Sequence, residues 1–183
     1  MSTKQVLAQP ELRTSLDDID APSWVLEGIA AGVLGAFVIA LFFLIWDSMA
    51  GHPLATPNAL GAAFFLGERV APSAPIQPAL VLGYTIMHGT LFVALGVIAA
   101  FEVMTGTRLR HAPRRRILVL TGLLFLGFEV LFAVFGQLFL PDLLAELGAG
   151  RVTFANLLAA SAMAGLLEYR TPAPDSSTSA GSS

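Results

Sequence analysis

Charged residues are scarce in this sequence, and cysteine is absent. Only 13% of the 183 residues are charged, whereas soluble domains carry about 25%. Hydrophobic residues make up 55% of the chain, and the mean hydropathy is +0.74. The composition therefore indicates a protein whose surface faces lipid. Without cysteine, the chain has no disulfide, no thiolate metal site and no cysteine nucleophile.

The signatures of soluble enzymes are also missing. The sequence contains no Walker loop, no Gly-x-Ser-x-Gly elbow, no His-Glu-x-x-His and no dinucleotide fingerprint. Ser48 and Ser73 have no organised His and Asp partners, and the apolar runs hold no paired aspartates. Whether the protein is an enzyme stays open, and these absences favour a protein without catalytic activity.

Four apolar runs are candidates for membrane-spanning helices. A bilayer core of about 30 Å needs about 20 residues of helix, which the first three runs supply. Gly148–Gly150 can extend the fourth run. The sequence thus predicts an all-α fold, an integral membrane four-helix antiparallel bundle. The runs are Trp24–Trp46, Ala79–Phe101, Ile117–Leu140 and Val152–Leu167.

The apolar runs divide the chain into three parts. Residues 1–23 form a polar N-terminal segment, and residues 24–170 form the four-span transmembrane domain. Residues 171–183 are rich in Ser and Pro and low in hydrophobicity, which predicts a disordered tail.

Basic residues predict the orientation of the bundle. Of the ten Lys and Arg residues, only Arg69 and Arg151 lie on the opposite side from the termini. The positive-inside rule therefore predicts a bacterial inner (cytoplasmic) membrane with both termini cytoplasmic. The run Arg114–Arg116 is predicted to anchor this topology at anionic lipid head groups, and nucleic-acid binding is not predicted. The eight residues on the cytoplasmic side are Lys4, Arg13, Arg108, Arg110, Arg114, Arg115, Arg116 and Arg170.

The first outer loop contains a short apolar segment. Thr56-Pro57 is typical of a helix start, and Gly67 can end the helix in a left-handed conformation. The segment 57–66 is too short to span a membrane, so it predicts an interfacial or re-entrant helix. A lid over the outer mouth and a helix on the membrane surface are both consistent with it. Asp47 and His52 are placed at that outer mouth.

The clearest polar residues inside the spans are His88 in the second and Glu129 in the third. Polar side chains inside a membrane are energetically costly, so each is expected to have a hydrogen-bond partner or a functional role. Their depths differ by about 2–3 Å at 1.5 Å per residue, and a short loop joins the two spans. We therefore expect a His88–Glu129 contact. Gly122 and Gly136 lie seven residues before and after Glu129, which predicts a glycine seam at this site.

Further polar side chains are expected around this pair. Tyr84 and Thr85 lie four and three residues before His88, on the same helix face. Gln137 and Asn156 lie in the outer halves of the third and fourth spans. The pattern predicts a polar pocket that opens to the outer side and is closed toward the cytoplasm, which argues against a simple channel.

Several interpretations of the pair are consistent with the sequence. A His–Glu hydrogen bond can simply tie two helices together. Glu129 can instead take up and release a proton beside His88. A metal site would combine His88, Glu129 and His52, but zinc or copper needs three or four ligands and only two are well placed. A six-coordinate haem normally uses two histidines within the membrane, and this chain offers one. No cofactor is predicted, and a metal ion or haem is the alternative.

Small residues in the first span predict close helix packing, because Gly28, Gly32, Ala36 and Ala40 recur every four residues. The function predicted is a structural or accessory subunit of a membrane complex. Its expected partners are the lipid bilayer and other membrane subunits or a second copy, with no nucleic acid. The alternative is a protein that handles protons, a metal or a small solute at a midplane His88–Glu129 site.

One stretch resembles known sequences. The phrase "GHPLATPNALG", Gly51–Gly61, follows a span that ends in Asp47. In this respect the first third of the chain resembles small four-span bacterial membrane proteins of unassigned function. That resemblance implies no activity, so no residue role is carried over from it.

Overall fold

The structure is a computed structural model that describes residues 23–105, 113–139 and 148–170, without the side chains of 113 and 137–139. These residues form helices and connecting turns, and no strand is present among them, so the all-α prediction is confirmed. Apart from residue 23, the predicted terminal segments 1–23 and 171–183 lie outside the described residues. The helices are α1 (Ser23–Met49), α2 (Ala55–Leu66), α3 (Pro78–Thr105), α4 (Pro113–Phe139) and α5 (Ala149–Arg170).

Four of these helices, α1, α3, α4 and α5, are long and apolar enough to cross a membrane. The shortest, α5, has 22 residues. It therefore extends over about 33 Å, slightly more than the hydrocarbon core. Large apolar side chains such as Phe37 and Leu118 are exposed on the outside of the bundle, where lipid can cover them. The chain is a multi-pass membrane protein.

The central helix of the bundle is α1, which packs against α3 on one side and α5 on the other. Both pairs are antiparallel. The rings of Trp24 and Phe101 lie 5.6 Å apart near one end of the α1–α3 pair. The rings of Phe42 and Phe154 lie 5.9 Å apart between α1 and α5. The remaining span, α4, packs on α5, so the order in space is α3, α1, α5, α4.

Glycines bring α1 and α3 into backbone contact. A Cβ at Gly28 would lie 2.5 Å from the Val97 Cα, and one at Gly96 would lie 2.6 Å from the Gly32 nitrogen. Only residues without a side chain fit such an approach, which is how small residues promote helix packing in membranes. The predicted small-residue stripe is confirmed at Gly28 and Gly32, whereas Ala40 is exposed and lies outside it.

An ion pair joins α4 and α5 at the end of the bundle that we call the arginine end. The Arg116 Nε donates to a Glu168 carboxylate oxygen at 2.6 Å, and the Arg116 side chain is buried. Arg116 was predicted to serve with its neighbours as an anchor to lipid head groups. It points into the bundle instead, while Arg114 and Arg115 are exposed and free to meet head groups.

At the opposite end, which we call the α2 end, Asp47 organises the start of α2. Its two carboxylate oxygens accept hydrogen bonds from the Thr56 N–H and the Thr56 hydroxyl, both at 2.7 Å. A carboxylate at this place satisfies a helix N–H that would otherwise lack a partner. The helix begins at Ala55, one residue before the predicted cap, because Asp47 takes the capping role expected of Thr56.

The other end of α2 and the following loop are also fixed. Gly67 adopts φ +67° and ends α2, as predicted. The buried Asn58 side-chain oxygen accepts a hydrogen bond from the Gln77 N–H at 2.9 Å. Asn58 thereby ties the first turn of α2 to the residue just before α3.

The short helix α2 packs over one end of the bundle. A Cβ at Gly61 would overlap the Leu80 carbonyl, and Phe65 covers the backbone at Gly83, so α2 lies directly on α3. Of the two interpretations of segment 57–66, this packing favours a lid over a helix lying free on the membrane surface.

Two predictions about the middle of the bundle are wrong. The second and third spans, α3 and α4, were expected to be close neighbours but make few contacts. The predicted glycine seam on α4 is also not formed at Gly122, which is exposed and has open space beside it. Both errors have one cause: α4 packs on α5, and a gap separates it from α3.

Gly96→Ala should destabilise the bundle by about 1–3 kcal/mol, because the new methyl group would overlap α1 backbone atoms. The matched control is Gly89→Ala in the same helix, where no atom lies within 4 Å. It should be neutral or stabilising by up to about 1 kcal/mol, since Ala favours helix. Unfolding in detergent micelles measures both, and equal effects would contradict the close α1–α3 contact.

Candidate functional site

A cavity of about 170 Å³ occupies the gap between α3 and α4. We call it the central cavity. Ile39 and Phe43 of α1 line it, and Leu60 and Phe64 of α2 contribute from the α2 end. The lining is mainly aliphatic and aromatic, and its polar side chains are Tyr84, His88 and Asn156. The sequence predicted a polar pocket, whereas this one is apolar with a few polar groups.

His88 is the unusual residue of this cavity. Its Nε2 atom is buried and has no hydrogen-bond partner within the described part of the chain. The backbone of Ala36 in α1 lies beside the imidazole. A buried polar atom without a partner is costly, by about 1–3 kcal/mol. Such a group is retained in native proteins for a reason, and binding a ligand is one such reason.

Aromatic rings continue from His88 across the gap. Tyr84 stacks on His88 with ring centroids 5.6 Å apart, and Phe92 lies 4.6 Å away on the other side. Phe92 in turn stacks on Phe128 of α4 at 4.7 Å. Sequence reasoning identified Tyr84 but missed Phe92, although residues 84, 88 and 92 share the spacing of one helix face. The four residues of this column line the central cavity, and the Phe92–Phe128 contact bridges α3 and α4.

Glu129 binds α5 and not α3. The Asn156 amide donates to one carboxylate oxygen at 2.9 Å, and the Thr153 hydroxyl donates to the other at 3.2 Å. The predicted His88–Glu129 contact is therefore wrong. Its physical reason is the packing of α4, which turns Glu129 toward α5 while His88 faces the cavity.

Asn156 connects the two parts of the site. It is buried, lines the central cavity and holds the Glu129 carboxylate. Sequence reasoning placed Asn156 near the site but missed Thr153. The three-residue spacing of the two puts them on one face of α5, and it was a usable signal.

The other predicted site residues do not contact His88 or Glu129 through the hydrogen bonds that the structure describes. The Thr85 hydroxyl donates to the Val81 carbonyl of its own helix at 2.7 Å and does not face Glu129. Asp47 is committed to capping α2, and His52 is exposed in the turn before it. Gln137 belongs to α4, but its side chain lies outside the described residues.

The described residues bring no three His, Asp or Glu side chains close enough to hold a metal ion. The proposed ligands His88, Glu129 and His52 lie in three different surroundings, so their geometry does not fit a metal site. Haem would meet one imidazole in the central cavity, that of His88. The described residues thus provide a complete set of ligands neither for a metal ion nor for a six-coordinate haem.

A double-mutant cycle of Glu129→Leu and Asn156→Leu should give a coupling energy of about 0.6–2 kcal/mol, typical of interhelical hydrogen bonds in membranes. The matched control cycle combines Glu129→Leu with His88→Leu. Its coupling energy should be near zero because the Glu129 and His88 side chains do not meet. Unfolding in detergent micelles supplies the free energies. Coupling of Glu129 to His88 but not to Asn156 would contradict the arrangement.

In comparisons with protein-family models, with curated proteins and with solved structures, the chain matches none. The site is therefore defined by its geometry alone: an apolar cavity inside a multi-pass membrane bundle, lined in part by His88, whose buried Nε2 has no hydrogen-bond partner among the described residues.

Proposed function

We propose that this membrane protein binds a small, mainly apolar molecule in the central cavity, with His88 holding the one polar group of that molecule. The observation that carries the proposal is the buried Nε2 atom of His88 without a partner. A neutral imidazole nitrogen either donates or accepts a hydrogen bond. A hydroxyl group can satisfy both forms, so alcohols and phenols are the ligand class that fits.

The size of the cavity agrees with a ligand of about one ring. An apolar protein cavity of about 150 Å³ stays dry and binds benzene. The central cavity holds about 170 Å³ and is lined by aromatic side chains such as Phe92 and Phe128. Stacking and burial of apolar area would supply most of the affinity. The hydrogen bond to His88 would then supply the preference for a hydroxyl group.

Two nearly isosteric probes test this function, 4-fluorophenol and 4-fluorotoluene, with ¹⁹F NMR on protein in nanodiscs and empty nanodiscs as the blank. The wild type should prefer the phenol by about three- to tenfold, since a hydrogen bond is worth about 1 kcal/mol. His88→Leu should abolish this preference and leave binding of the toluene nearly unchanged.

The matched control is Thr90→Val, which also replaces a polar side chain of α3. Thr90 is exposed, its hydroxyl bonds to the Ile86 carbonyl, and it lines neither cavity described for this bundle. It should keep the preference for the phenol. Failure of both probes to bind the wild type, or an unchanged preference in His88→Leu, would overturn the proposed function.

A structural or accessory subunit is the second candidate. One observation favours it: the outer face of α4 is apolar and carries Gly122 with open space beside it, next to the exposed Leu118 and Leu126. Native purification with identification of subunits tests this role. A single species with no stoichiometric partner and no self-association would exclude it.

We also propose that the protein lies in a bacterial inner membrane with its arginine end and both termini in the cytoplasm. The exposed Arg114 and Arg115 at that end support this orientation. Because the chain has no cysteine, single-cysteine variants report the orientation cleanly.

Ser73→Cys at the α2 end should react with a membrane-impermeant maleimide in intact cells. Thr105→Cys at the arginine end should react only after the cells are permeabilised. Both positions are exposed in the fold, so accessibility depends on the side of the membrane. The reverse labelling pattern would contradict the proposed orientation.

A further inference from the structure

A second cavity, of about 190 Å³, lies on the other side of His88. We call it the lateral chamber. It is set between α1 and α3 beneath the start of α2, where Leu54, Thr56 and Pro57 line it. Its rim on α1 faces outward, since Phe37 is 60% exposed and Leu41 is 41% exposed. In a bilayer this chamber would open sideways to lipid.

The lateral chamber and the central cavity share one wall. Ile39 and Phe43 of α1 and Tyr84 and His88 of α3 line both. Two residues from each helix form this wall. The glycine contacts at Gly28, Gly32 and Gly96 lie toward the arginine end, whereas residues with bulky side chains form the shared wall. Rotation of such side chains is fast compared with helix motion.

Two polar side chains of the lateral chamber, Thr85 and Thr56, already donate hydrogen bonds. The Thr85 hydroxyl donates to the Val81 carbonyl, and the Thr56 hydroxyl donates to Asp47. The chamber therefore offers space mainly to apolar groups. A molecule that moved on from it toward the central cavity would next meet Tyr84 and His88, the polar residues that line both spaces.

We infer that the lateral chamber is the entrance to the central cavity, and that its ligand is a membrane-dissolved alcohol or phenol that enters sideways from the bilayer. The Phe43, Tyr84 and His88 side chains act as the gate, and His88 binds the hydroxyl group once it has passed. This inference rests on the proposed function of the central cavity. It adds the route of entry and the source of the ligand, which is the lipid phase.

The test narrows the entrance without touching the central cavity. Ala40 is exposed and lines only the lateral chamber, so Ala40→Trp should obstruct it. The matched control is Ala94→Trp, at an exposed α3 position that lines neither cavity. Thr85→Phe, on the opposite wall of the chamber, serves as a second obstructing variant in case Ala40→Trp does not fold.

Exchange of 4-fluorophenol between lipid and protein is measured by ¹⁹F NMR in nanodiscs. In Ala40→Trp and Thr85→Phe the association and dissociation rates should fall together by about tenfold, because a higher barrier slows both directions, while Kd changes by less than about twofold. Ala94→Trp should exchange at the wild-type rate. An unchanged Kd also shows that the variants are folded.

The possible outcomes separate the two proposals. If the wild type binds the phenol through His88 but both obstructing variants exchange at the wild-type rate, the ligand enters by the gap between α3 and α4, and the lateral entrance is overturned. If Kd rises while the dissociation rate does not fall, the chamber is part of the binding site and is not an entrance. If the wild type does not bind the phenol, the proposed function itself fails.

Discussion

The close contact between Gly28, Gly32 and Gly96 determines the rest of the bundle. It fixes α3 against α1 at the arginine end, where no side chain separates the two backbones. With α3 on one side of α1 and α5 on the other, α4 has its main contacts with α5. A gap is then left between α3 and α4, and the aromatic side chains that reach across it line a cavity without filling it.

Among the described residues, several polar side chains of the spans hold helices together, whereas the His88 Nε2 has no such role. The Arg116–Glu168 pair and the bonds from Thr153 and Asn156 to Glu129 join α4 to α5. Those side chains are satisfied and explain why α4 stays in place despite its few contacts with α3. His88 is different, since its buried Nε2 has no partner among the described residues and its side chain lies between the two cavities. This contrast distinguishes the side chains that stabilise the fold from His88, the proposed binding residue.

The four spans and the all-α fold could be predicted because they depend on the length and hydropathy of continuous segments, which can be read directly from the sequence. That His88 is an unusual residue of its span could also be predicted, since an imidazole in an apolar run is conspicuous. The absence of a His88–Glu129 contact could not be predicted. Two residues at the same depth in the membrane meet only if their helix faces pack together, and the sequence does not show which faces do. The same limit applies to the bonds from Thr56 to Asp47, of which only the location at one end of the bundle was predicted, and to Thr153, whose role depends on the α4–α5 pairing.

The most direct test of ligand binding at His88 is a crystal structure grown in lipidic cubic phase with 4-bromophenol. The bromine gives an anomalous signal that locates the ring without bias. The account predicts a single strong peak inside the central cavity, with the phenol oxygen within hydrogen-bonding distance of the His88 Nε2. A peak found only on the lipid-facing surface, or a cavity closed by rearranged aromatic side chains, would contradict it.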